Sequence, residues 1–517
     1  MAADAFTRST SATQMASMTA GFRLISAETA DRVERSRWRP ERNRKIINSI
    51  KVAFDSSGED YTPNYESHVS VVLGRNGQGK SRLLSAIASS FQLLQTYGRS
   101  RPMRHFPLKN LIFRANGQLH EITSPEGKTP RLLVDGEERP LSDAILPSRV
   151  IALSMTPLDK FPIGPRSTQL DLFDEERPDV YSYFGMRDRM GRASVSLLLF
   201  RAVEGLFARH DHGDRIRIAK VFDLIGYQPT LDVVFRLDST SFLEKIATNS
   251  LYPGSLGPDQ YSRNRMFQVM EADENKKISL MKAADTALRI AQKGFCLTSV
   301  DVRSPSAESI DTFLQLQTLR REGLARLYAV EAHKVDGDTI DLKQASSGEL
   351  SIAISFMSLA SSLDDSSLIL IDEPETNLHP EWQAKYVELL TSTFSGFVNC
   401  HYILATHSPL ILSDSPPSAT LASVSDEVPT KGSDVAGRPV DYLLAKAFQT
   451  VNGTNYYLQE ELIKALRLAA DGAANTHDFS ETVDELVNLG PLIRDNPGIV
   501  DLIASLKNIR DREGRKK

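Results

Sequence analysis

Apolar and polar residues alternate along this chain in patterns that predict both strands and helices. Residues 44–54 (RKIINSIKVAF) alternate with a period of two, as a half-buried strand does. Residues 68–94 begin with an apolar run, pass through a glycine-rich loop and end with apolar residues at helical spacing. Apolar runs at 149–155, 368–372 and 401–408 predict short strands buried on both faces of a parallel sheet. We therefore expect an α/β fold.

The rest of the chain is mainly helical in pattern. Asp-Gly pairs predict strand hairpins within 131–141 and 324–342. After residue 440 the apolar residues again recur at helical spacing. No sustained heptad pattern is present, so a long coiled coil is not expected. Three central segments also have helical spacing: 195–226, 264–293 and 306–323.

The length of the chain, 517 residues, exceeds what one hydrophobic core usually organises, so we expect several domains. Two groups of sheet strands should flank a mainly helical insertion, and a helical region should follow them. The predicted boundaries are 1–40 for a disordered or extended leader, 41–190 for the first part of the sheet domain, 191–335 for the helical insertion, 336–435 for the second part of the sheet domain and 436–517 for the C-terminal helices.

Composition is ordinary for a globular protein, with 41% hydrophobic and 25% charged residues. No stretch approaches the length of a transmembrane helix, and no secretory signal is present, so no membrane partner is expected. A transit peptide is an alternative for the acid-poor leader. Cys296 and Cys400 are too few and too distant for a disulfide framework or a cysteine metal site. These features favour a cytoplasmic protein.

Basic residues are concentrated in two clusters, although the formal net charge of -5 argues against a globally basic nucleic-acid coat. Each cluster could bind nucleic-acid phosphates or be solvated surface, and the sequence leaves both open. The first cluster contains Arg35, Arg37, Arg39, Arg42, Arg44 and Lys45, and the second contains Arg99, Arg101, Arg104, His105, Lys109 and Arg114.

The glycine-rich loop reads GRNGQGKS, the G-x-x-x-x-G-K-[ST] spacing of a P-loop, between a predicted strand and a predicted helix. Its backbone N–H groups would wrap phosphate oxygens at the positive end of the helix. Its lysine would reach the β- and γ-phosphates, and its serine hydroxyl would ligate Mg²⁺. The expected ATP-binding residues are Asn76, Gly77, Gln78, Gly79, Lys80 and Ser81.

Acidic residues end the buried strand of the segment LILIDEPETNLHP. Asp372 would hold Mg²⁺ together with Ser81, and Glu373 is the natural general base for an attacking water. His407 ends the next strand, in ATHSP, at the edge where α/β sheets place their ligands. We therefore expect Glu373 and His407 to act in ATP hydrolysis.

This order of parts resembles the ABC-type ATPases, whose heads carry a signature loop, a magnesium-binding strand and a switch histidine. The hexapeptide ASSGEL lies where that family keeps its LSGGQ signature, although Ser347 replaces a glycine and Glu349 a glutamine. The resemblance implies that the signature contacts ATP bound by a second copy. It also implies a fold in which a P-loop ATPase head carries a helical insertion. The residues that would do so in trans are Ser346, Ser347, Gly348 and Glu349.

Within that family the chain is similar to the RecF/SMC/OLD group, on GRNGQGKS, SSGEL, DEPETNLHP and ATHSP. It lacks a long coiled coil and the acidic motifs of a TOPRIM nuclease. The strings VIALSMTPLDKFP and YSYFGMR resemble the PtuA-like ATPase subunit of Septu-type antiphage systems, which also occur beside retrons. That resemblance implies a separate HNH-type nuclease partner, and a reverse transcriptase with its RNA/DNA product if a retron is present.

Three functions stay open at this point. The first is a defence ATPase that controls a partner nuclease, the second a RecF-like repair ATPase, and the third a nucleotide-gated scaffold with negligible turnover. One family part is missing, because no Q-loop glutamine follows the strand at 149–155, and Asp159 could substitute for it.

Overall fold

A computed structural model describes most of the chain, and its described part contains no helix long and apolar enough to cross a bilayer. Residues 1–20, 31 and 36–40 of the expected leader lie outside the described residues, and residues 22–29 of it form the first strand of a sheet. Seven of the twelve members of the two basic clusters also lie outside the described residues, so the roles of both clusters stay predictions. The described ranges are 21–30, 32–35, 44–47, 49–55, 66–74, 77–97, 106–124, 129–163, 180–187, 194–208, 219–251, 273–424, 429–451, 454–493 and 496–514.

The first part of the chain supplies most strands. Its elements are β1 (Phe22–Thr29), β2 (Arg32–Arg35), β3 (Arg44–Ile47), β4 (Lys51–Ala53), β5 (His68–Leu73), α1 (Lys80–Thr96), β6 (Leu108–Ala115), β7 (Gln118–Thr123), β8 (Arg131–Val134), β9 (Glu137–Arg139), β10 (Val150–Ser154), β11 (Tyr181–Gly185) and α2 (Val195–Ala208).

The middle and last parts alternate strands and helices before ending in helices. Their elements are β12 (Tyr227–Leu237), α3 (Thr240–Ala247), α4 (Glu274–Ile290), β13 (Phe295–Asp301), α5 (Ala307–Arg321), β14 (Ala325–Lys334), β15 (Thr339–Asp341), α6 (Ser347–Ser362), β16 (Leu368–Asp372), α7 (Pro380–Thr393), β17 (His401–Ala405), α8 (Pro409–Ser413), β18 (Thr420–Ser423), β19 (Thr430–Lys431), α9 (Val440–Lys446), α10 (Tyr456–Ala470), α11 (His477–Leu489) and α12 (Pro497–Gly514).

A seven-stranded sheet forms the centre of the molecule, in the order β11-β10-β16-β17-β5-β18-β19. All its neighbouring strands are parallel except β18 and β19. The apolar runs predicted as buried strands are β10, β16 and β17, and each is buried at every position. Helices cover both faces, and the predicted α/β fold is confirmed.

The two faces of this sheet carry different helices, because successive side chains of a strand point to opposite sides. Leu368 and Leu370 of β16 belong to the core that contains α1. Ile369 and Ile371 belong to the core that contains α6 and α7. The helix after the glycine-rich loop and the helix after ASSGEL therefore pack on opposite faces of one sheet.

A second, antiparallel sheet lies over α1, in the order β4-β1-β6-β7-β8-β9. Its apolar side chains, including Leu24, Leu111 and Phe113, share one core with α1 and the parallel sheet. The predicted hairpin at 131–141 is the β8–β9 pair, turning at Asp135 and Gly136 with positive φ angles of 50° and 85°. This sheet holds α1 on the side away from the parallel sheet.

The insertion contains a four-stranded antiparallel sheet, in the order β13-β12-β14-β15. Our sequence analysis identified β14 and β15 but missed β12 and β13 and expected mainly helix. Strand β12 does alternate, since Leu231, Val233 and Phe235 are buried, but it was not recognised between the two segments of helical spacing, 195–226 and 264–293. The predicted helix 264–293 is α4 within the described residues. The domain boundaries themselves stay predictions.

Two histidines link neighbouring strands, and the fully buried His401 also joins the antiparallel sheet to the parallel sheet. His401 accepts a hydrogen bond from the Leu24 N–H at 3.0 Å through Nδ1, and its Nε2 lies 2.8 Å from the Ser70 hydroxyl. His68 lies 2.9 Å from the Thr420 hydroxyl. Burial lowers the pKa of His68 to about 3 and the pKa of His401 well below its ordinary value.

Acid is therefore expected to destabilise the fold. The unfolded histidines bind protons below about pH 6.5 while the folded ones stay neutral, so stability is full above that pH and is lost as pH falls towards 3. Each histidine contributes up to about 1.4 kcal/mol per pH unit. The melting temperature measured between pH 7.5 and 4.5 checks this. His68→Gln should reduce the slope, and His477→Gln, at an exposed site, should not; an unchanged slope in His68→Gln would contradict the assignment.

Candidate functional site

The loop between β5 and α1 depends on glycine. Gly77 and Gly79 have φ angles of 82° and 95°, a region that residues with a Cβ rarely adopt. A Cβ on Gly79 would also lie 2.5 Å from Cδ1 of Ile50. Gly79 is the N-cap of α1, so the free N–H groups of the helix start face the loop. The loop is thus built to receive an anion; Asn76 lies outside the described residues.

Lys80 is 4% exposed and is the first residue of α1, directly after the loop. Its ammonium donates to the Gly74 carbonyl at 2.6 Å and lies 2.7 Å from Nε2 of His407. Burial lowers the pKa of Lys80 to about 8, and burial followed by the Lys80 charge lowers the pKa of His407 to about 4. The parallel neighbours β5 and β17 bring these two residues together, and a neutral imidazole can accept from the ammonium.

Ser81 and Asp372 meet at the same edge of the sheet. The Ser81 hydroxyl donates to Oδ1 of Asp372 at 3.0 Å, and Asp372 is 3% exposed. Burial, and then the charges of Glu373, Asp159 and Glu375, raise the pKa of Asp372 to about 7. A divalent cation beside this carboxylate would favour its charged form.

The oxygen donors here fit Mg²⁺. Hydroxyl and carboxylate oxygens are its preferred protein ligands, and it usually keeps water and phosphate oxygens as well. Among the described residues no three His, Cys, Asp or Glu side chains gather as a complete metal cage. Ser81 and Asp372 would therefore hold the ion as two ligands of a site completed by phosphate, and the ion would neutralise phosphate charge.

Glu373 follows Asp372 in a constrained backbone. Its φ angle is 52°, which is uncommon for a residue with a Cβ, and its N–H donates to the Ala405 carbonyl at 2.8 Å. Because this bond ties it to the end of β17, Glu373 is held at the edge where Asp372 and His407 lie. Strained backbone of this kind often accompanies function.

Glu375 is a site residue that our sequence analysis did not select. Its Oε1 accepts from the His407 N–H at 2.6 Å, and burial raises its pKa. Glu375 thus orients the backbone of His407. The only sequence signal for it was a further acid two residues after Glu373, which local spacing does not distinguish from a turn acid.

Asp159 has a structural task that accounts for both of its oxygens. They accept from Arg187 at 2.7 Å and 3.1 Å and from the Tyr183 hydroxyl at 2.7 Å. This buried cluster joins the ends of β10 and β11. Asp159 is close enough to contribute to the pKa of Asp372, but its substitution for the missing Q-loop glutamine stays a prediction.

The ASSGEL segment starts α6 with a complete capping box. The Ser346 hydroxyl accepts from the Glu349 N–H at 3.3 Å, and a Glu349 carboxylate oxygen accepts from the Ser346 N–H at 2.8 Å. Ser346 and Ser347 are exposed. Gly348 is buried, and a Cβ there would lie 2.9 Å from the Asn377 carbonyl oxygen, so the turn after Glu373 requires this glycine.

The structure thus brings together Lys80, Ser81, Asp372, Glu373 and His407 at one sheet edge. The signature residues are not part of that group, since they begin the helix on the opposite face of the sheet from α1. In a single chain, the signature residues form the start of α6, which has its own capping box.

Comparison with known proteins gives one family match. Residues 230–413 match the family model described as "AAA domain, putative AbiEii toxin, Type IV TA system". The matched segment includes the ASSGEL turn, the strand of Asp372 and the His407 segment, and the glycine-rich loop lies upstream of it. With that loop and its buried lysine, the chain is an ATPase.

A curated relative shares a short segment. The protein described as "Retron Vc95 probable ATPase" from Vibrio cholerae serotype O1 biovar El Tor is 46% identical over 55 residues. Those residues are 11% of this chain and 10% of that protein.

Several solved structures resemble the chain at low similarity. An Smc head domain from Pyrococcus furiosus bound to the C-terminal domain of ScpA has 11% identity and a TM-score of 0.30, covering 80% of this chain and 97% of that chain. The SMC head domain from Thermotoga maritima has 11% identity and a TM-score of 0.27, covering 78% and 94%. The recombination mediator protein RecF with bound ATP has 13% identity and a TM-score of 0.27, covering 80% and 99%. The fold is defined by the strand order of the central sheet.

Proposed function

We propose that two copies of this chain close around two ATP molecules. Each site would combine the glycine-rich loop of one copy with the ASSGEL turn of the other. The observation that carries this proposal is the placement of α1 and α6 on opposite faces of the sheet, because one copy then cannot cover its own nucleotide with its own signature.

Each site residue has a role that its contacts support. Lys80 binds β- and γ-phosphate oxygens, and Ser81 and Asp372 hold Mg²⁺. Glu373 takes a proton from the attacking water, and His407 contacts the γ-phosphate from beside Lys80. Most of the rate enhancement comes from positioning and from neutralising charge on the phosphates.

The ASSGEL turn is the half-site that would receive the nucleotide bound to the partner copy. The exposed Ser346 and Ser347 offer hydroxyls and free helix N–H groups to a phosphate. Glu349 occupies that helix start in the single chain through the capping box. Closure of the dimer would therefore replace the Glu349 carboxylate at the start of α6 with the γ-phosphate of the nucleotide bound to the partner copy.

Mixing two inactive variants tests this arrangement. Lys80→Ala removes the phosphate-binding cation, and Ser347→Arg blocks the signature turn with a bulky side chain. A mixed dimer would contain one site with both changes and one intact site. We expect each variant alone to be inactive, and each mixed dimer in the mixture to hydrolyse ATP at up to about half the rate of an unaltered dimer, measured as phosphate release.

The matched control is a mixture of Lys80→Ala with Lys80→Arg, both altered in the same half-site, which should regain nothing. If Ser347→Arg alone keeps full ATPase activity, the signature does not cover a nucleotide. If both variants are inactive and their mixture stays inactive although the chains exchange, the half-sites do not act in trans.

The wider role that we infer is control of a separate nuclease in antiphage defence. The retron-associated description of one relative supports this, on a shared segment of 55 residues. Nucleotide state would set the dimer, and the dimer would hold or release the nuclease. The two basic clusters could bring nucleic acid to such a complex, although most of their residues lie outside the described part.

Co-expression with the products of the neighbouring genes separates the two functional classes. Stoichiometric co-purification of an HNH nuclease, or of a reverse transcriptase with its nucleic-acid product, would support the defence role. Recovery of recombination proteins, with ATPase stimulation by gapped DNA, would instead favour a RecF-like repair ATPase. Absence of turnover in every complex would leave a nucleotide-gated scaffold.

A further inference from the structure

The C-terminal helices enclose a pocket that the ATPase site does not use. Helices α9 to α12 have their own core, built from residues such as Leu458, Phe479 and Leu486. Beside it, residues of α9, α10 and α11 line a pocket of about 460 Å³. That volume falls within the range of sites that hold ligands or short peptide segments.

The lining of this pocket is acidic. Five carboxylates face two basic side chains, Arg438 and Lys464. Glu485 is already paired with Lys446 at 2.5 Å. Glu461 is partly buried, and burial raises its pKa, so its charge would gain from a further cation. The carboxylates are Asp441, Glu460, Glu461, Glu481 and Glu485.

A buried hydroxyl points to a missing hydrogen-bond partner. Thr482 is 1% exposed and lines the pocket, and its Oγ1 has no partner among the described residues. Buried polar groups are seldom left in this state, because the cost of burial is then not repaid. A threonine hydroxyl in a helix commonly donates to the carbonyl four residues earlier, but this one makes no such bond among the described residues, so its donor and acceptor are unused.

Tyrosine rings form the remaining wall. Tyr442 and Tyr457 meet edge to face at 5.0 Å. Cations of this chain already lie against them, with the Arg438 guanidinium 5.2 Å from the Tyr442 ring centre. Tyr456 is 60% exposed at the same pocket. Aromatic faces beside carboxylates are surroundings that favour a cationic group, guanidinium most of all.

We propose that this pocket binds a short basic segment of a protein partner, with an arginine side chain inserted between α10 and α11. The guanidinium has five N–H donors for the lining carboxylates and the Thr482 hydroxyl, and its plane can lie on a tyrosine ring. This deepens the proposed function by naming a surface for partner recognition, and it rests on that function only for the existence of a partner.

The test uses the full chain and fluorescein-labelled penta-arginine, measured by fluorescence anisotropy at 150 mM salt. Penta-arginine should bind more tightly than penta-lysine, and penta-glutamate should not bind. Glu461→Gln should weaken penta-arginine binding about tenfold, and Thr482→Val about threefold. Asp501→Asn, an exposed acid on α12 outside the pocket, should leave it unchanged.

Equal binding by Glu461→Gln, Asp501→Asn and the unaltered chain would overturn the proposal, as would spermidine competing as well as penta-arginine. Thr482→Val keeps the shape of the side chain and removes only the hydroxyl, so loss of binding in a variant with an unchanged melting temperature reports on the pocket. Lys80→Ala should bind the peptide normally, which separates failure here from failure of the ATP site.

Discussion

Lys80→Ala is expected to weaken ATP binding at least about 100-fold, or about 2.8 kcal/mol, and to abolish hydrolysis. The side chain is buried between the glycine-rich loop and His407, where a lysine ammonium would neutralise phosphate charge in surroundings with little water. Alanine leaves the backbone N–H groups but removes the cation that contacts both the Gly74 carbonyl and His407. Fluorescent ATP titration and phosphate release measure the two effects.

The control for this substitution is Lys507→Ala, at an exposed position of α12, which should bind ATP normally. Circular dichroism and melting temperature confirm that both variants fold. Because the pKa of Lys80 is already lowered to about 8, bound phosphate should raise it again. If Lys80→Ala binds ATP within threefold of the unaltered chain, the loop is not the nucleotide site.

Glu373→Gln is expected to slow ATP hydrolysis by about 100- to 10,000-fold while ATP still binds, the range that a general base contributes. Glutamine keeps the size and hydrogen-bonding capacity of the side chain but cannot take a proton from water. The nucleotide would then persist in its site and hold the dimer closed. Light scattering after gel filtration should show that Glu373→Gln stays dimeric after ATP is added. Dimers of the unaltered chain should dissociate once the ATP is consumed.

Glu375→Gln is the matched comparison, because this carboxylate lies two residues away and contacts the His407 backbone. It should lower the rate much less, through a displaced histidine. If Glu375→Gln rather than Glu373→Gln stops turnover, the base has been assigned to the wrong glutamate. If neither variant slows hydrolysis tenfold, general-base catalysis by this turn is wrong.

Local sequence signals predicted the parts of the site that are contiguous in the chain. The glycine-rich loop, the strand ending at Asp372 and the strand before His407 each carry their own pattern, and the structure contains all three. A motif of this kind requires only neighbouring residues to set its geometry. The predicted helices at 306–323 and beyond 440 also correspond to described helices.

Features that depend on tertiary contacts were not predictable in this way. The buried strands are apolar on both sides, so the sequence does not say that α1 and α6 lie on opposite faces. The hydrogen bonds of His401 to two sheets, and of Asp159 to Tyr183 and Arg187, join residues that no short spacing connects. Strands β12 and β13 were missed because helical spacing on either side of them was given too much weight.

The close approach of Gly348 to the Asn377 carbonyl would couple the two ATP sites of a dimer. The start of α6 and the turn that follows Glu373 are in close contact there, and tightly packed interiors absorb little displacement. In the proposed closed dimer, the start of α6 in each subunit would contact the nucleotide of the other subunit. The turn after Glu373 would belong to the nucleotide site of its own subunit. We therefore expect ATP hydrolysis in one cleft to change the hydrolysis rate in the other. The dimer should hydrolyse ATP cooperatively and not as two independent sites.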